Sequence, residues 1–361
     1  MSWASAVIKP VVLILVIVQL LPLLIWVERK GSAYIQDRPG PNRATILGFR
    51  LGGFFHTLAD VIKLLTKEDV RSAEIEPFYW RIAPAIPLFT GFVVAAVIPF
   101  AEPLSRPGGL FTFQVADLTI GLLWILSISS LAVYGVIFAG WSSGNKFATL
   151  GSLRASAQMV SYEITMGLSL VAVLLMSGTV RLEEIVEQQS SNPAYWLCLR
   201  QPLALMLFWV ALFAETNRNP FDLPEGESEL VAGYHLEYSG MRFALFYMAE
   251  YVHIIVGAAL LITLFFGGWQ IPFCPTWLLK QNLTALFSLL PALTAHFNLD
   301  IIAALVQAGC FLSKVLVICW CFIWVRWTLP RFRYDQLMRL GWKVMLPLAL
   351  ANIFGTGLVL L

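Results

Sequence analysis

The sequence predicts an all-α polytopic membrane protein with eight transmembrane helices, a cytoplasmic amphipathic helix and a cytoplasmic acidic loop. The 361 residues are 58% hydrophobic and only 13% charged, whereas globular domains average roughly 45–50% and about 25%. Apolar runs of about 20 residues recur along the chain, and a helix needs that length to cross a ~30 Å hydrocarbon layer. Lipid offers no hydrogen-bond partners to irregular backbone, so these runs are expected to be helical.

Eight runs fit this description within a single membrane domain, residues 1–361. They are residues 10–27, 82–101, 118–141, 155–180, 201–214, 243–266, 301–325 and 344–361. The fifth run is short and is expected to recruit Trp196 to Arg200, with the Arg200 guanidinium reaching the interface. A ninth uncharged segment, residues 281–299, is separated from the next span by Asp300 alone. Two spans cannot turn on one residue, so this segment is predicted to form a surface helix within an outer connection, residues 268–300.

Lysine and arginine indicate the orientation because they gather in cytoplasmic loops. With the amino terminus outside, 18 of the 24 basic residues fall on the inner side. Both termini are therefore predicted on the outer side, and residues 28–81 and 214–240 form inner loops. The first run is longer than a signal-peptide core and is expected to be retained. The five cysteines have no C-x-x-C or Cys/His spacing, so no metal cluster is expected.

The first inner loop contains "GFFHTLADVIKLLTKED", whose apolar side chains recur at helical spacing. These side chains are Phe54, Leu58, Val61, Ile62 and Leu65. The pattern predicts an amphipathic helix on the membrane surface. Two interpretations remain open: an interfacial anchor, or a lid over an entrance that is accessible from lipid.

The second inner loop, "AETNRNPFDLPEGESELVAGYHLEYSG", is strongly acidic. Pro220 and Pro224 interrupt any helix that continues from the fifth span, and Asp222 with Glu225 can cap a new one. Capping does not account for Glu215, Glu227, Glu229 and Glu237. Their mutual repulsion must be offset by basic partners, by protons or by polar surroundings.

Two further carboxylates interrupt apolar helices: Glu163 in "SYEITM" and Glu250 in "MAEYVH". Each costs ~2.5–3.5 kcal/mol on insertion scales. Together with Glu215 they are predicted to meet in the cytoplasmic half of the membrane, with His253 one turn from Glu250. One interpretation pairs each acid with an Arg, Lys or Tyr. The other, favoured because cations within the spans are few, is a chain of proton-exchanging carboxylates.

Lys314 is the conspicuous cation within a span, near the middle of the seventh. It is either a counter-ion for one of the acids or a member of the proton chain. The sequence leaves both alternatives open.

Several of these segments together resemble one family. They are "ERKGSAYIQDRPGPNR", "LADVIKLLTKED", "SYE", the acidic loop, "MAEY", "FFGGW" and "LPRFRYDQLMRLGWK". Over nearly the whole chain they are similar to the H subunit of bacterial NADH:quinone oxidoreductase (respiratory complex I), the counterpart of mitochondrial complex I subunit one.

This resemblance implies the heel subunit of a proton-translocating complex in the bacterial cytoplasmic (inner) membrane. Its substrate would be a quinone, either ubiquinone or menaquinone, and the chain would hold no cofactor of its own. Flavin and iron–sulfur clusters would lie in partner subunits. The implied partners are the peripheral quinone-site subunits, neighbouring membrane-arm subunits and membrane lipid, with no nucleic acid.

The resemblance also assigns residues. The proton path would use Glu163, Glu215, Glu250, Asp60, Glu225, Glu227 and Glu229. Beyond what the resemblance assigns, the hypothesis for the quinone tunnel involves Arg29, Arg38, His56, Asp60, Glu225 and Glu227. Two departures affect the transfer: many relatives have Gln-Pro at His56-Thr57, and residues 274–309 form a longer connection than usual.

Three alternatives differ in function. The same type of membrane subunit occurs in ion-translocating hydrogenases and ferredoxin-linked complexes, and the soluble partners would distinguish these. A stand-alone secondary transporter could also bury acids, but the sequence shows neither repeated halves nor paired broken helices. A purely structural anchor would not explain the buried carboxylates.

Overall fold

A computed structural model describes residues 3–46, 48–70, 72–106, 109–223, 226, 230–288 and 299–361. Nearly all regular structure in these residues is helical, which confirms the predicted fold class. The helices are α1 (Trp3–Ile35), α2 (Phe55–Thr66), α3 (Pro77–Ile82), α4 (Ala85–Ala95), α5 (Gly121–Ser130), α6 (Ala132–Ser142), α7 (Lys146–Ser177), α8 (Leu182–Gln189), α9 (Leu197–Arg200), α10 (Pro202–Glu215), α11 (Gly240–Phe265), α12 (Thr276–Ser288), α13 (Leu299–Thr328), α14 (Tyr334–Arg339) and α15 (Leu346–Leu360). A π-helical segment, Leu340–Met345, joins α14 to α15.

In the described chain, 7 helical segments are long and apolar enough to cross a membrane. They are Ala6–Ile35, Pro77–Ala95, Gly121–Ser142, Lys146–Ser177, Gly240–Phe265, Leu299–Thr328 and Tyr334–Leu360. The fifth predicted span is α10, whose 14 residues extend only about 21 Å at 1.5 Å each. Trp196 to Arg200 do not lengthen α10, because the chain leaves helical geometry at Gln201 (φ −131°, ψ 57°) before Pro202. The total of eight spans stays a prediction.

The connections between helices gather at two ends of the bundle. At one end, the loop face, contacts join residues 66–70, 72–76, 142–145, 216–223, 230–239 and 329–333. Val70 N donates to Ser239 Oγ (3.1 Å), and Phe332 N donates to the Pro220 carbonyl (3.1 Å). At the opposite face, Gln189 Nε2 donates to the Leu264 carbonyl (3.1 Å). These two groups of loops are the sets predicted to lie on the inner and outer sides.

Helix α7 begins earlier than predicted and passes the length of the bundle. Asn145 caps it by accepting a hydrogen bond from Phe147 N (3.0 Å), and Gly178 ends it in the left-handed region (φ +65°). Its 32 residues extend about 48 Å, so it projects beyond the hydrocarbon layer. Glu163 therefore lies near the middle of this helix.

At the opposite face the structure differs from the sequence-based prediction in two features, a pair of short strands and the start of the surface helix. Strands β1 (Leu104–Arg106) and β2 (Gly109–Phe111) form an antiparallel pair. The ammonium of Lys9 holds the segment after β2 by donating to the Thr112 carbonyl (2.7 Å). The predicted surface helix begins at Thr276 rather than at residue 281, and residues 289–298 lie outside the described part of the chain.

Lys314, on α13, forms the end-cap of α11. Its ammonium donates to the backbone carbonyls of Phe266 (2.9 Å), Gly268 (3.0 Å) and Gln270 (2.7 Å) and lies 4.7 Å from the centre of the Trp196 ring. Three carbonyls match the three N–H groups of an ammonium, and the carboxyl end of a helix attracts cations. In the described chain no carboxylate lies within ion-pair distance. In the described chain Lys314 is thus not a counter-ion but a clamp between α11 and α13. Its membership of the proton chain stays a prediction.

Replacing Lys314 by Met is expected to lower the thermal unfolding midpoint of the complex in detergent. The three carbonyls would lose their donor, and an unsatisfied buried acceptor costs about 1–3 kcal/mol. Millimolar propylammonium should raise the unfolding midpoint of Lys314→Ala, because it fits the space left by the lysine side chain and supplies an ammonium. It should not raise the midpoint of Lys314→Met, in which the methionine side chain fills that space. The control is Lys280→Met, which removes an exposed pair with Asp300 and should have little effect. Equal midpoints for Lys280→Met and Lys314→Met would contradict the clamp.

Candidate functional site

The Glu28 carboxylate forms the centre of a buried charged network near the loop-face end of α1. Glu28 is only 6% exposed. It accepts hydrogen bonds from the guanidinium of Arg218 (3.1 and 3.2 Å), from the guanidinium of Arg326 and from the hydroxyl of Tyr251. A buried carboxylate is costly unless such donors surround it. The network therefore joins α1, the segment after α10, α11 and α13.

Arg218 connects this network to a second carboxylate. Its guanidinium lies 4.3 Å from the centre of the Tyr251 ring, and its Nε lies 3.6 Å from Glu250 Oε2. The segment turns back into the bundle because Phe221 N donates to the Arg218 carbonyl (2.8 Å). Asn219 Nδ2 then donates to the Arg326 carbonyl (2.9 Å), which holds the turn against α13.

The pairing interpretation therefore holds for Glu250. Its cation comes from a loop that folds into the bundle and not from a membrane span. Sequence reasoning missed Glu28, Arg218, Arg326 and Tyr251, because charges at span ends are typical of interfaces with water. The available signal was that Glu28 and Arg218 both fall inside the conspicuous loop motifs.

Glu215 and Glu250 line one cavity of about 40 Å³. A water molecule needs roughly 10–15 Å³ measured in this way, so the cavity has room for more than one. Its other lining residues are Pro87, Ala132, Val136, Met159, Thr216, Asn217, Tyr234, Phe246, Ala249 and His253. Among the described residues, none forms an ion pair with the Glu215 carboxylate. Glu215 differs in this respect from Glu250.

Glu163 lies beside the cavity and is not among its lining residues. It is half-buried on α7, one turn beyond Met159, which lines the cavity. Gln158 Nε2 donates to the Ala214 carbonyl (2.8 Å) and fixes α7 against the end of α10 that carries Glu215. The structure thus brings two of the three predicted carboxylates to one cavity and the third to a helix that borders it.

Arg29 and Asp60 form an ion pair between α1 and α2, with side chains 43% and 33% exposed. His56 Nε2 accepts hydrogen bonds from the backbone N–H groups of Arg43 (3.2 Å) and Ala44 (3.0 Å), so its ring holds the turn that follows α1. Arg38 lies on an exposed part of this turn, where its Nε donates to Gln36 Oε1 (2.8 Å). The structure therefore joins Arg29 and Asp60, while His56 and Arg38 have local partners.

Helix α2 turns its apolar side chains away from the bundle. Leu58, Val61, Ile62 and Leu65 are 42%, 47%, 63% and 61% exposed, whereas Thr57, in the first turn, is 4% exposed. The arrangement fits the predicted amphipathic helix, with an apolar surface free to contact lipid or another subunit. The choice between anchor and lid stays a prediction.

The predicted acids Glu225, Glu227 and Glu229 lie outside the described residues, as does the capping helix. Asp222, expected to cap that helix, forms an ion pair with Arg331 Nη2 (2.7 Å). Glu237 accepts a hydrogen bond from Asn145 Nδ2 (3.1 Å). In the described residues, no group of three or more His, Cys, Asp or Glu could hold a metal ion.

These features define a class: a polytopic helical membrane protein with compensated and uncompensated carboxylates inside its helical bundle. Such intramembrane acids are expensive and typical of ion-conducting or proton-conducting proteins. Comparison with known proteins gives the family. Residues 8–357 match the family model described as NADH dehydrogenase, and the chain belongs to this family.

Relatives agree over almost the whole chain. The H subunit of the NADH-quinone oxidoreductase of Salinibacter ruber is 47% identical over 342 residues, covering 94% of this chain and 91% of that protein. The H subunit of the same enzyme from Bdellovibrio bacteriovorus is 42% identical, covering 98% of this chain and 95% of that protein. The subunit numbered 8 in the enzyme from Rhodothermus marinus is 44% identical, covering 92% and 90%.

Arg218→Met is expected to destabilise the protein by about 3–5 kcal/mol, because it leaves two buried carboxylates without their shared guanidinium. The measurement is thermal unfolding and the yield of assembled complex. The double variant Glu28→Gln with Arg218→Met should lose less than the sum of the single variants, since the two groups interact directly. The control is Arg333→Met, which removes an ion pair with Asp335. The Arg333 side chain is 78% exposed, so this variant should have little effect on stability. Additive single and double effects would contradict the network.

Proposed function

We propose that this chain is the membrane-arm heel subunit of a proton-translocating NADH:quinone oxidoreductase. In this role it forms part of the quinone tunnel and links quinone reduction to proton transfer in the membrane arm. The names of its relatives, which are subunits of NADH-quinone oxidoreductases, support the type of complex. The finer assignment rests on the arrangement of charges.

The observation that carries the proposal is a series of charged side chains in two groups, which the chain joins at the adjacent residues Glu28 and Arg29 of α1. It begins at the half-exposed Asp60–Arg29 pair, between α1 and α2. The next residue in the series is Glu28, adjacent to Arg29 in the chain, and Arg218 then connects Glu28 to Glu250. Glu250 lines the cavity that Glu215 also lines. The series therefore leads from a half-exposed ion pair to the two carboxylates of the cavity.

In the proposed mechanism, the quinone headgroup is reduced near the Asp60–Arg29 end of this series. Reduction to quinol takes two electrons, supplied by partner subunits, and two protons. Charges about 4 Å apart interact by roughly 4 kcal/mol at an effective dielectric constant of about 20. In the proposal, a change of charge beside Arg29 alters the electrostatic potential at Glu28, the adjacent residue of α1, and through Arg218 at Glu250, and drives proton exchange in the cavity.

The remaining predicted residues have roles in the same proposal. Helix α2 and the adjoining ends of α1 and α11 frame an entrance through which the isoprenoid tail reaches lipid. Glu225, Glu227 and Glu229 belong to the route from the quinone to the cavity, as the family resemblance implies. Glu163 continues the route along α7. Arg38 and His56 shape the turn beside the entrance.

The proposed location is the bacterial cytoplasmic membrane, with the loop face inside and both termini outside. The loop face then meets the peripheral quinone-site subunits, which carry the flavin and iron–sulfur clusters, while this chain carries no redox centre. Purification with its soluble partners would distinguish this enzyme from an ion-translocating hydrogenase or a ferredoxin-linked complex.

Glu215→Gln is expected to lower quinone reduction and proton pumping by roughly tenfold or more, because the amide cannot exchange a proton. Electron transfer from NADH to an artificial acceptor such as ferricyanide should remain at the wild-type rate. The control is Glu187→Gln, an exposed residue of α8 on the opposite face, which should leave all three rates unchanged. Wild-type quinone turnover and pumping in Glu215→Gln would sink the proposed role.

Asp60→Asn tests the quinone end of the series. We expect a several-fold higher KM for a short-chain quinone and an unchanged melting temperature, because an exposed ion pair contributes only about 0.2–1 kcal/mol. Steady-state kinetics in membranes measure the KM. Asp300→Asn removes a comparably exposed ion pair on the opposite face and should leave the KM unchanged. If Asp60→Asn and Asp300→Asn have the same KM, Asp60 does not contribute to quinone binding.

A further inference from the structure

The cavity of Glu215 and Glu250 is also lined by a histidine. His253 lies on α11, three residues after Glu250, and side chains at this spacing are neighbours on one helix face. It lines the cavity together with both carboxylates. The proposed proton path, as assigned from the carboxylates, gives His253 no role.

One nitrogen of the His253 ring has a fixed partner. Nε2 lies 2.9 Å from the backbone carbonyl of Pro87 on α4. A carbonyl only accepts hydrogen bonds, so Nε2 carries a hydrogen and donates it. In the neutral ring Nδ1 is then the basic nitrogen. The bond to Pro87 is the same in the neutral and the protonated ring, so Nδ1 can gain or lose a proton without any movement of the side chain.

Apart from the two carboxylates, few groups around the His253 ring can carry a charge. The lining residues from α4 and α6 are Pro87, Ala132 and Val136, and none of them titrates. The titratable groups that share the cavity are Glu250 on α11, Glu215 on α10 and the hydroxyl of Tyr234. Arg218 lies behind Glu250. Histidine is therefore the cavity group whose ordinary titration range is closest to physiological pH.

We propose that His253 is a third proton-exchanging group of this cavity. Nδ1 takes a proton delivered through cavity water, the imidazolium then compensates the negative charge of Glu215, and Nδ1 returns the proton to cavity water when this carboxylate is protonated. The net charge of the cavity stays nearly constant while a proton passes. This inference rests on the proposed function and extends it to a base beside the carboxylates.

A structural role makes a different prediction. The bond from His253 to Pro87 also fastens α11 to α4, which pack closely: a Cβ added at Gly91 would lie 2.7 Å from Val252 Cγ1 and 3.5 Å from His253 Nε2. If fastening were the whole role, any side chain that donates to the Pro87 carbonyl would suffice. Glutamine can donate to this carbonyl but cannot titrate near neutral pH, so it separates the two roles.

The test compares His253→Gln, His253→Phe and Glu215→Gln in the assembled complex, reconstituted in liposomes. Quinone reduction and proton pumping per NADH are measured from pH 5.5 to 8.5, together with the yield of complex. We expect His253→Gln to assemble normally, to pump several-fold less per NADH and to lose the pH dependence that the wild type shows across the histidine range. His253→Phe should share this defect and also give a lower yield.

Wild-type pumping and a wild-type pH profile in His253→Gln would overturn the inference, and a defect confined to His253→Phe would assign a purely structural role. Where His253→Gln does not assemble, His253→Asn, a smaller amide, applies the same criterion. Glu215→Gln distinguishes a failure of the inference about His253 from a failure of the proposed function. If Glu215→Gln is defective and His253→Gln is normal, only the inference about His253 fails; if Glu215→Gln is normal, the proposed function fails.

Discussion

The arrangement of the loop face depends on the cost of burying the Glu28 carboxylate. A carboxylate that is 6% exposed must be surrounded by donors, because an uncompensated buried charge is far less stable than a hydrated one. Its donors come from Arg218, Tyr251 and Arg326. Meeting this requirement draws the segment after α10 into the bundle and fixes α1, α11 and α13 relative to one another.

That constraint divides the carboxylates of the bundle into two kinds. Glu28 and Glu250 share the guanidinium of Arg218, so their charges are compensated by a fixed cation. Glu215 faces the cavity without such a partner among the described residues, which is why the proposed function assigns proton exchange with water to it. A compensated charge transmits an electrostatic change, while an uncompensated one responds to it by changing its protonation. The two kinds lie side by side because Glu250 belongs to both the network and the cavity.

A cation also fixes the position of the carboxyl end of α11. The Lys314 ammonium binds the carbonyls beyond this end, and Gln189 bonds to carbonyls of its last turn. Helix α11 is thus tied near its middle by a guanidinium that lies beside its carboxylate and beyond its carboxyl end by an ammonium that binds backbone carbonyls. Movement of α11 relative to α13 would break charged contacts at both places, which favours a rigid frame around the cavity.

The sequence by itself determined the fold class, the places of most spans and the division of the loops into two groups at opposite ends, because the thickness of the hydrocarbon layer fixes the length of an apolar helix. It also identified Glu215 and Glu250 as intramembrane acids, since a charge in an apolar run is visible without knowledge of its neighbours. Only the tertiary structure decided which charges meet. The partners of Glu28 lie 190, 223 and 298 residues away, and long side chains at span ends reach partners that no local pattern encodes. For the same reason Lys314 proved to bind backbone carbonyls, which carry no sequence signal because every residue has one.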